Sequence, residues 1–126
     1  METAADLLRS TRSSKTIPSQ VGFIGANIGT RDYTIHSGIA ISISKPQATA
    51  IVTHSFPVEV APTEEGYIAT SRISNAFELG ASASEAVRNY LEFLVDELIW
   101  LQKHEKELST SIREDLRHLQ HYLRIV

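Results

Sequence analysis

Five histidines are the first residues of this chain that could do chemistry: His36, His54, His104, His118 and His121. His118 and His121 are three residues apart, so on a helix they would share one face, as metal ligands do. No HExxH motif and no third ligand at a fitting spacing accompanies them. We therefore predict no metal site and expect the histidines to be solvated or to cap helices. We also expect His36 and His54 to be cross-strand neighbours on an exposed sheet face.

Acidic side chains could support hydrolysis only as a pair or around a metal ion. Glu64 and Glu65 fall in a predicted turn, and Glu59 and Glu78 fall in predicted strands, without a spacing that pairs them. The serines lack a Gly-x-Ser-x-Gly elbow. We predict no catalytic residue, no cofactor and no enzyme activity. A metal-dependent hydrolase using Asp32 or Glu59 is the alternative left open.

The composition excludes several other chemistries. The chain has no cysteine, so it can form neither a disulfide nor a thiolate zinc site. The glycines Gly22, Gly25 and Gly29 lack the Gly-Lys-Ser/Thr ending of a phosphate loop, and we predict that residues 21–38 form a turn-rich lead into a sheet. The net charge of −3 argues against broad electrostatic binding to nucleic acid or to an anionic membrane.

The length of the chain and its first residues give expectations for its number of domains and its compartment. The 126 residues suit one domain. No apolar run approaches the roughly 18–20 residues that span a bilayer. The first residues include Glu2 and Asp6 and no basic start, so a secretory signal is not expected and the cytoplasm is the expected compartment. Residues 1–20 are rich in serine and threonine around Arg9, Arg12 and Lys15, and we predict a flexible tail there, followed by one domain at 21–126.

A period of two predicts the strands. Alternation from Tyr33 to Ser44, with Ile35, Ile39 and Ile41 on one side, predicts one long strand. Proline and glycine divide the chain that follows into shorter strands, with a break permitted at Pro57. We predict these at 49–54, 58–60, 67–73 and 77–79.

A period of 3.6 predicts two helices after the strands. Ser82 and Glu85 form a capping box ahead of an apolar stripe, which predicts a helix at 84–104. A second stripe predicts a helix at 110–124, capped by Ser109 or Ser111. Strands followed by helices predict an α+β fold, in which the long helix packs on one face of an antiparallel sheet.

The order of turns, strands and caps from Pro57 onward carries a family resemblance. The residues concerned are Val58–Val60, Glu64–Gly66, Tyr67–Thr70, Phe77–Gly80, Ser82 and Glu85–Ala86. Over roughly residues 57–104 the chain resembles the HicB family, the antitoxin half of HicAB toxin–antitoxin modules. The resemblance implies an antiparallel sheet with a helix on one face, likened to a partial ribonuclease H fold.

The resemblance also implies a function. A HicB-like protein, or a solitary HicB-like relative, would bind and inhibit a small basic toxin-like partner without catalysis. The segment 105–126 is too short for the DNA-binding domain of full-length members, so direct DNA binding is not expected. Residues 72–76 also lack the proline that members typically have there. The alternative is a structural or accessory subunit of a larger assembly, because some 55 N-terminal residues lie outside the resemblance.

A second apolar patch on the long helix points to an interaction surface. Phe93 and Trp100 lie about 120° from the centre of the stripe that faces the sheet, with His104 close by. Either the last helix folds back over them, or they meet another chain in a homo-oligomer. The full predicted surface is Phe93, Trp100, His104, Leu116, Tyr67 and Ile41.

Overall fold

The computed structural model describes residues 29–126. The predicted tail at 1–20 lies outside this range, as does the part of the predicted turn-rich segment before residue 29. In chain order the elements are β1 (Arg31–Ile35), β2 (Ala40–Ser44), β3 (Gln47–Val52), β4 (Phe56–Thr63), β5 (Gly66–Thr70), β6 (Glu78–Gly80), α1 (Ala83–Lys103), a 3₁₀ turn (Glu105–Glu107), α2 (Thr110–Tyr122) and β7 (Leu123–Ile125).

The strands form two antiparallel sheets. One has the order β1-β4-β5-β6 and the other has the order β2-β3-β7. Helix α1 packs against both sheets, and α2 packs against α1 and β7. The predicted α+β class, with one long helix on a sheet and a second helix near the C-terminus, is confirmed.

The single strand predicted from Tyr33 to Ser44 is wrong. The segment contains β1 and β2, which belong to different sheets and are separated by a turn at His36–Ile39. Gly38 has a φ of 92°, a backbone conformation that side chains disfavour, and its N–H donates to the carbonyl of Val52. Ile35 and Ile41 are both buried. The alternation of apolar residues therefore reflects side chains that are buried on each side of the turn, in two strands rather than one.

The break permitted at Pro57 does not occur, because Pro57 lies inside β4 opposite Thr34 of β1. Strand β5 pairs with β4 only from Glu59 onward. Pro57 therefore lies where β4 has one neighbouring strand among the described residues, which is where a sheet tolerates proline.

The start of α1 follows the predicted capping pattern. The Ser82 hydroxyl accepts from the Glu85 N–H at 3.1 Å. Gly80 ends β6 directly beneath this turn, and a side-chain carbon added there would collide with the backbone nitrogen of Ala86. The absence of a side chain at Gly80 lets α1 lie against the first sheet.

Helix α2 resolves one alternative and corrects one boundary. Ser109, rather than Ser111, caps it by accepting from the Ile112 N–H at 3.4 Å. The helix ends at Tyr122, so its predicted extension to 124 is wrong. Residues Leu123–Ile125 form β7 and pair with β3.

A buried tyrosine holds the loop between β5 and β6. The Tyr90 side chain on α1 is fully buried, and its hydroxyl lies 2.7 Å from the Ser71 hydroxyl and donates to the Ser74 hydroxyl at 3.2 Å. The two serine hydroxyls in turn accept from the backbone N–H groups of Ile73 and Ala76. Burial raises the pKa of Tyr90 above 10.0, because the phenolate would lose its hydration, while the serine hydrogen bonds oppose that shift.

Replacing Tyr90 with phenylalanine is expected to lower the free energy of unfolding by about 1 kcal/mol at pH 7, since the serine hydroxyls lose a partner. The folded chain holds the Tyr90 proton more tightly than the unfolded chain. Its contribution to stability is therefore fully present below about pH 10 and is lost as the pH rises through the raised folded-state pKa. Urea unfolding between pH 8 and pH 11 should show a shallower fall in stability for Tyr90→Phe than for the wild type. Tyr122→Phe is the control, and equal slopes for wild type and Tyr90→Phe would contradict the assignment.

Candidate binding groove

Two open depressions of the surface lie between β2 and α1 and share Glu92, and we refer to them together as the groove. Its apolar half is a cavity of about 390 Å³, lined by Tyr33, Ile39, Ala40, Ile41, Ser42, Ser84, Val87, Arg88, Leu91 and Glu92. Its polar half is a cavity of about 400 Å³, lined by Ile43, Ser44, Lys45, Glu78, Asn89, Glu92, Phe93 and Asp96. Glu92 is the one described residue that lines both halves.

Strand β2 brings one edge of its backbone to this groove, and no other described strand pairs with that edge. Within residues 29–126 it pairs with β3 alone, so it is an outer strand. The Val52 N–H donates to the Ile39 carbonyl at 2.9 Å, which sets the alternation of the antiparallel ladder. By that alternation Ile41 and Ile43 bond to β3. The N–H and C=O groups of Ala40 and Ser42 point toward the open edge.

The charges of the groove are unevenly distributed. The polar half contains the carboxylates of Glu78, Glu92 and Asp96 and the ammonium group of Lys45. Glu78 and Asp96 have interactions of their own, so a preference for a charged ligand depends on Glu92. The apolar half contains Arg88 and shares Glu92. Acidic side chains near low-dielectric walls attract cations. The end of β2 at Ser44, where the chain turns into β3, therefore favours a basic group on a ligand.

Two of the predicted surface residues line the groove, one in each half. Ile41 lines the apolar half, but its side chain is only 7% exposed and belongs to the core. Phe93 is half-buried and lines the polar half, with its ring 6.5 Å from that of Tyr90. Tyr67 lies in a neighbouring cavity of about 320 Å³, which shares Tyr33 with the groove.

The other three predicted surface residues lie elsewhere. Trp100 is half-buried against the core, and its ring lies 4.4 Å from the ring of His104. The His104 Nδ1 lies 2.9 Å from the Trp100 carbonyl, at the end of α1. Leu116 is 2% exposed and is part of the core, so it contacts its own chain. The six residues therefore do not form one surface.

The histidines are arranged differently from the prediction. His36 and His54 both lie outside the strands, so they are not cross-strand partners. His54 instead stacks on His121, with ring centroids 4.1 Å apart. The His121 carbonyl accepts from the Thr53 hydroxyl at 2.7 Å and lies 2.7 Å from the His54 Nδ1. This junction joins the β3–β4 loop to the end of α2. Among residues 29–126, no group of three or more His, Asp or Glu side chains could hold a metal ion.

The fold and groove together define an α+β protein that presents an outer strand beside a helix. Comparisons with protein-family models, curated proteins and solved structures found no match. None of the helices in the described part of the chain is long and apolar enough to cross a membrane. The groove is therefore the structural basis of the function proposed below.

Proposed function

We propose that this chain is a non-catalytic protein–protein interaction module, HicB-like in kind, that binds and inhibits a small basic toxin-like protein. The observation that carries the proposal is the groove along β2, where backbone groups that pair with no strand among residues 29–126 lie beside apolar side chains and the Glu92 carboxylate. The net charge of −3 also favours a cationic partner. Inhibition would follow because the bound chain would cover the surface through which the partner acts.

The second candidate is an accessory subunit of a larger assembly. The observation that favours it is that β1 and β2 are both outer strands of their sheets among the described residues, and Tyr33 of β1 lines the same groove as β2. A subunit that added a strand to β2 would therefore also lie against Tyr33 of the first sheet. Homo-oligomer formation through such edges belongs to this second candidate.

The proposal is tested by capture from the native host with the full-length chain as bait. Wild type should retain a basic protein of fewer than about 100 residues, and adding the chain should suppress that protein's activity at a one-to-one ratio. Glu92→Lys should lose the protein, because the charge at the centre of the groove is reversed. Glu114→Lys makes the same charge change on an exposed part of α2 and should retain it.

Two results would count against inhibition of a basic partner. One is a captured protein that both lysine variants retain equally. The other is recovery of a large multi-subunit complex whose activity the chain does not reduce, which would favour the accessory subunit.

A further inference from the structure

The outer strands that the structure describes differ in whether charged residues protect them from pairing with another chain. The outer strands of the two sheets are β1, β6, β2 and β7. Charged residues guard β1 at Arg31 and Asp32, β6 at Glu78 and β7 at Arg124, whereas β2 reads Ala-Ile-Ser-Ile-Ser. Charges on edges prevent pairing with other chains. Strand β2 alone of these four lacks that protection, so it is the edge suited to pairing.

We propose that β2 binds an extended segment of the partner protein by strand addition, with apolar side chains at one end of the segment and a lysine or arginine at the other. This inference rests on the proposed function and names the chemistry that the groove selects. Strand addition draws affinity from backbone hydrogen bonds and specificity from alternate side chains.

The backbone of β2 supplies the first part of the recognition. Ala40 and Ser42 direct one N–H and one C=O each toward the open edge, by the alternation set at Ile39. Both residues are exposed and have small side chains. An incoming strand can therefore approach to the usual separation of about 4.8 Å and form up to four hydrogen bonds.

The apolar half of the groove supplies the second part. Tyr33, Val87 and Leu91 form a surface beside the β1–β2 turn, and Ile39 there is 41% exposed. Every second side chain of an added strand would point to this surface. The segment should therefore have valine, isoleucine or a similar residue at alternate positions on this end.

The polar half supplies the third part and sets the direction. The Glu92 carboxylate lines both halves, and the polar half extends from it toward Ser44 and Lys45. A cationic side chain placed there would be attracted to the Glu92 carboxylate, and the nearby low-dielectric walls would strengthen that attraction. Since the pairing in both sheets is antiparallel, we expect the added strand to run antiparallel to β2. Its basic residue would then precede its apolar residues in sequence.

The test uses the full-length chain and fluorescein-labelled eight-residue peptides, followed by fluorescence anisotropy. One peptide has a lysine before alternating valines and threonines, and a second has glutamate in place of that lysine. Wild type should bind the lysine peptide at least tenfold more tightly than the glutamate peptide. Glu92→Lys should reverse or abolish that preference. Equal binding of both peptides by wild type would overturn the basic-segment chemistry.

Ser42→Pro tests strand addition itself. Proline removes the outward N–H at Ser42 and leaves the backbone bonds of Ile41 and Ile43 to β3 in place. It also removes the Ser42 hydroxyl, which lies 3.0 Å from the Thr49 hydroxyl of β3. We expect at least a tenfold loss of lysine-peptide affinity with an unchanged circular dichroism spectrum. Ser42→Ala loses the same hydroxyl but keeps the N–H, and it should bind like wild type. Unchanged binding by a folded Ser42→Pro would overturn the proposal.

Amide hydrogen exchange separates the other possible occupants. In the free monomer the Ala40 and Ser42 amides should exchange rapidly, and the lysine peptide should protect them. Protection in the free monomer would show that the chain covers its own edge, and protection that appears only in a dimer would assign the edge to a second copy. Either result would overturn the proposal. If the peptide binds as expected while host capture yields no basic protein, the proposed function fails and the groove's specificity stands.

Discussion

Alanine in place of Gly80 is expected to lower the free energy of unfolding by about 3 kcal/mol, the upper end of the usual cost of overpacking. The added carbon would collide with the Ala86 nitrogen, and it would lie 2.7 Å from the Ala86 Cα and 2.8 Å from the Glu85 carbonyl carbon. These are backbone atoms of the first turn of α1, so they can yield only if the helix moves off the sheet. Urea denaturation followed by circular dichroism measures the loss.

The matched comparison is alanine in place of Gly38. Gly38 has a φ of 92°, but an added carbon there would meet nothing within 4 Å. That variant isolates backbone strain, which costs about 1–2 kcal/mol for a left-handed residue. Gly80→Ala should therefore be the more damaging of the two. If the two variants lost the same stability, close approach of α1 would not explain why glycine is needed at residue 80.

The corner around Gly80 brings together several turn and capping residues that the sequence pattern singled out. Tyr67 of β5 pairs with Gly80, and a side-chain carbon on Gly66 would lie 2.5 Å from the Gly80 carbonyl oxygen. Ala86 is fully buried over the same point, and Ser82 caps the helix beside it. These residues are needed for packing and turns. They explain why a sequence pattern could predict this part of the fold without predicting any chemistry.

Local patterns predicted the elements better than their partners. Ser82, Glu85 and the apolar stripe placed α1 within one residue at each end, because caps and helical period act over a few residues. The alternation through Ile35 and Ile41 was equally clear, yet it could not reveal that β1 and β2 join different sheets. Strand partners are set by contacts between distant parts of the chain, which alternation does not record.

The candidate groove was only partly accessible from sequence for the same reason. Helical period identified Phe93 and Trp100 as an apolar pair off the main stripe, but only Phe93 lines the groove. Nothing in the sequence sets Glu92 apart from the other acidic residues of α1. Its place in both halves of the groove follows from the position of β2 beside the helix, after the turn at Gly38.

The last strand shows how one residue can satisfy two patterns. Leu123 continues the stripe of Leu116 and Leu119 at helical spacing, which is why the helix was predicted to reach 124. The chain instead becomes extended at Leu123, with φ −134° and ψ 141°. The Thr53 N–H bonds to the Tyr122 carbonyl at 2.8 Å, and the Val126 N–H bonds to the Thr49 carbonyl at 2.9 Å. The ladder with β3 therefore replaces the last helical turn while Leu123 stays buried.

Leucine-to-alanine substitution at Leu123 is accordingly expected to be among the most destabilising single changes, costing about 2–5 kcal/mol. Leu123 is 1% exposed and pairs with Val52, which is also 1% exposed. The lost methyl groups would leave a cavity where α2 meets the second sheet. For a chain of this size the melting temperature should fall by roughly 10 °C or more.

Val126→Ala removes apolar carbon from a side chain that is 63% exposed at the end of the same strand. It should change stability by less than about 0.5 kcal/mol. A two-stranded sheet of β2 and β3 alone would be marginal in water. Leu123→Ala should therefore also speed amide exchange in β3, since β7 holds that strand on its other side. Equal melting temperatures for the two variants, or unchanged exchange in β3, would show that β7 does not stabilise the second sheet.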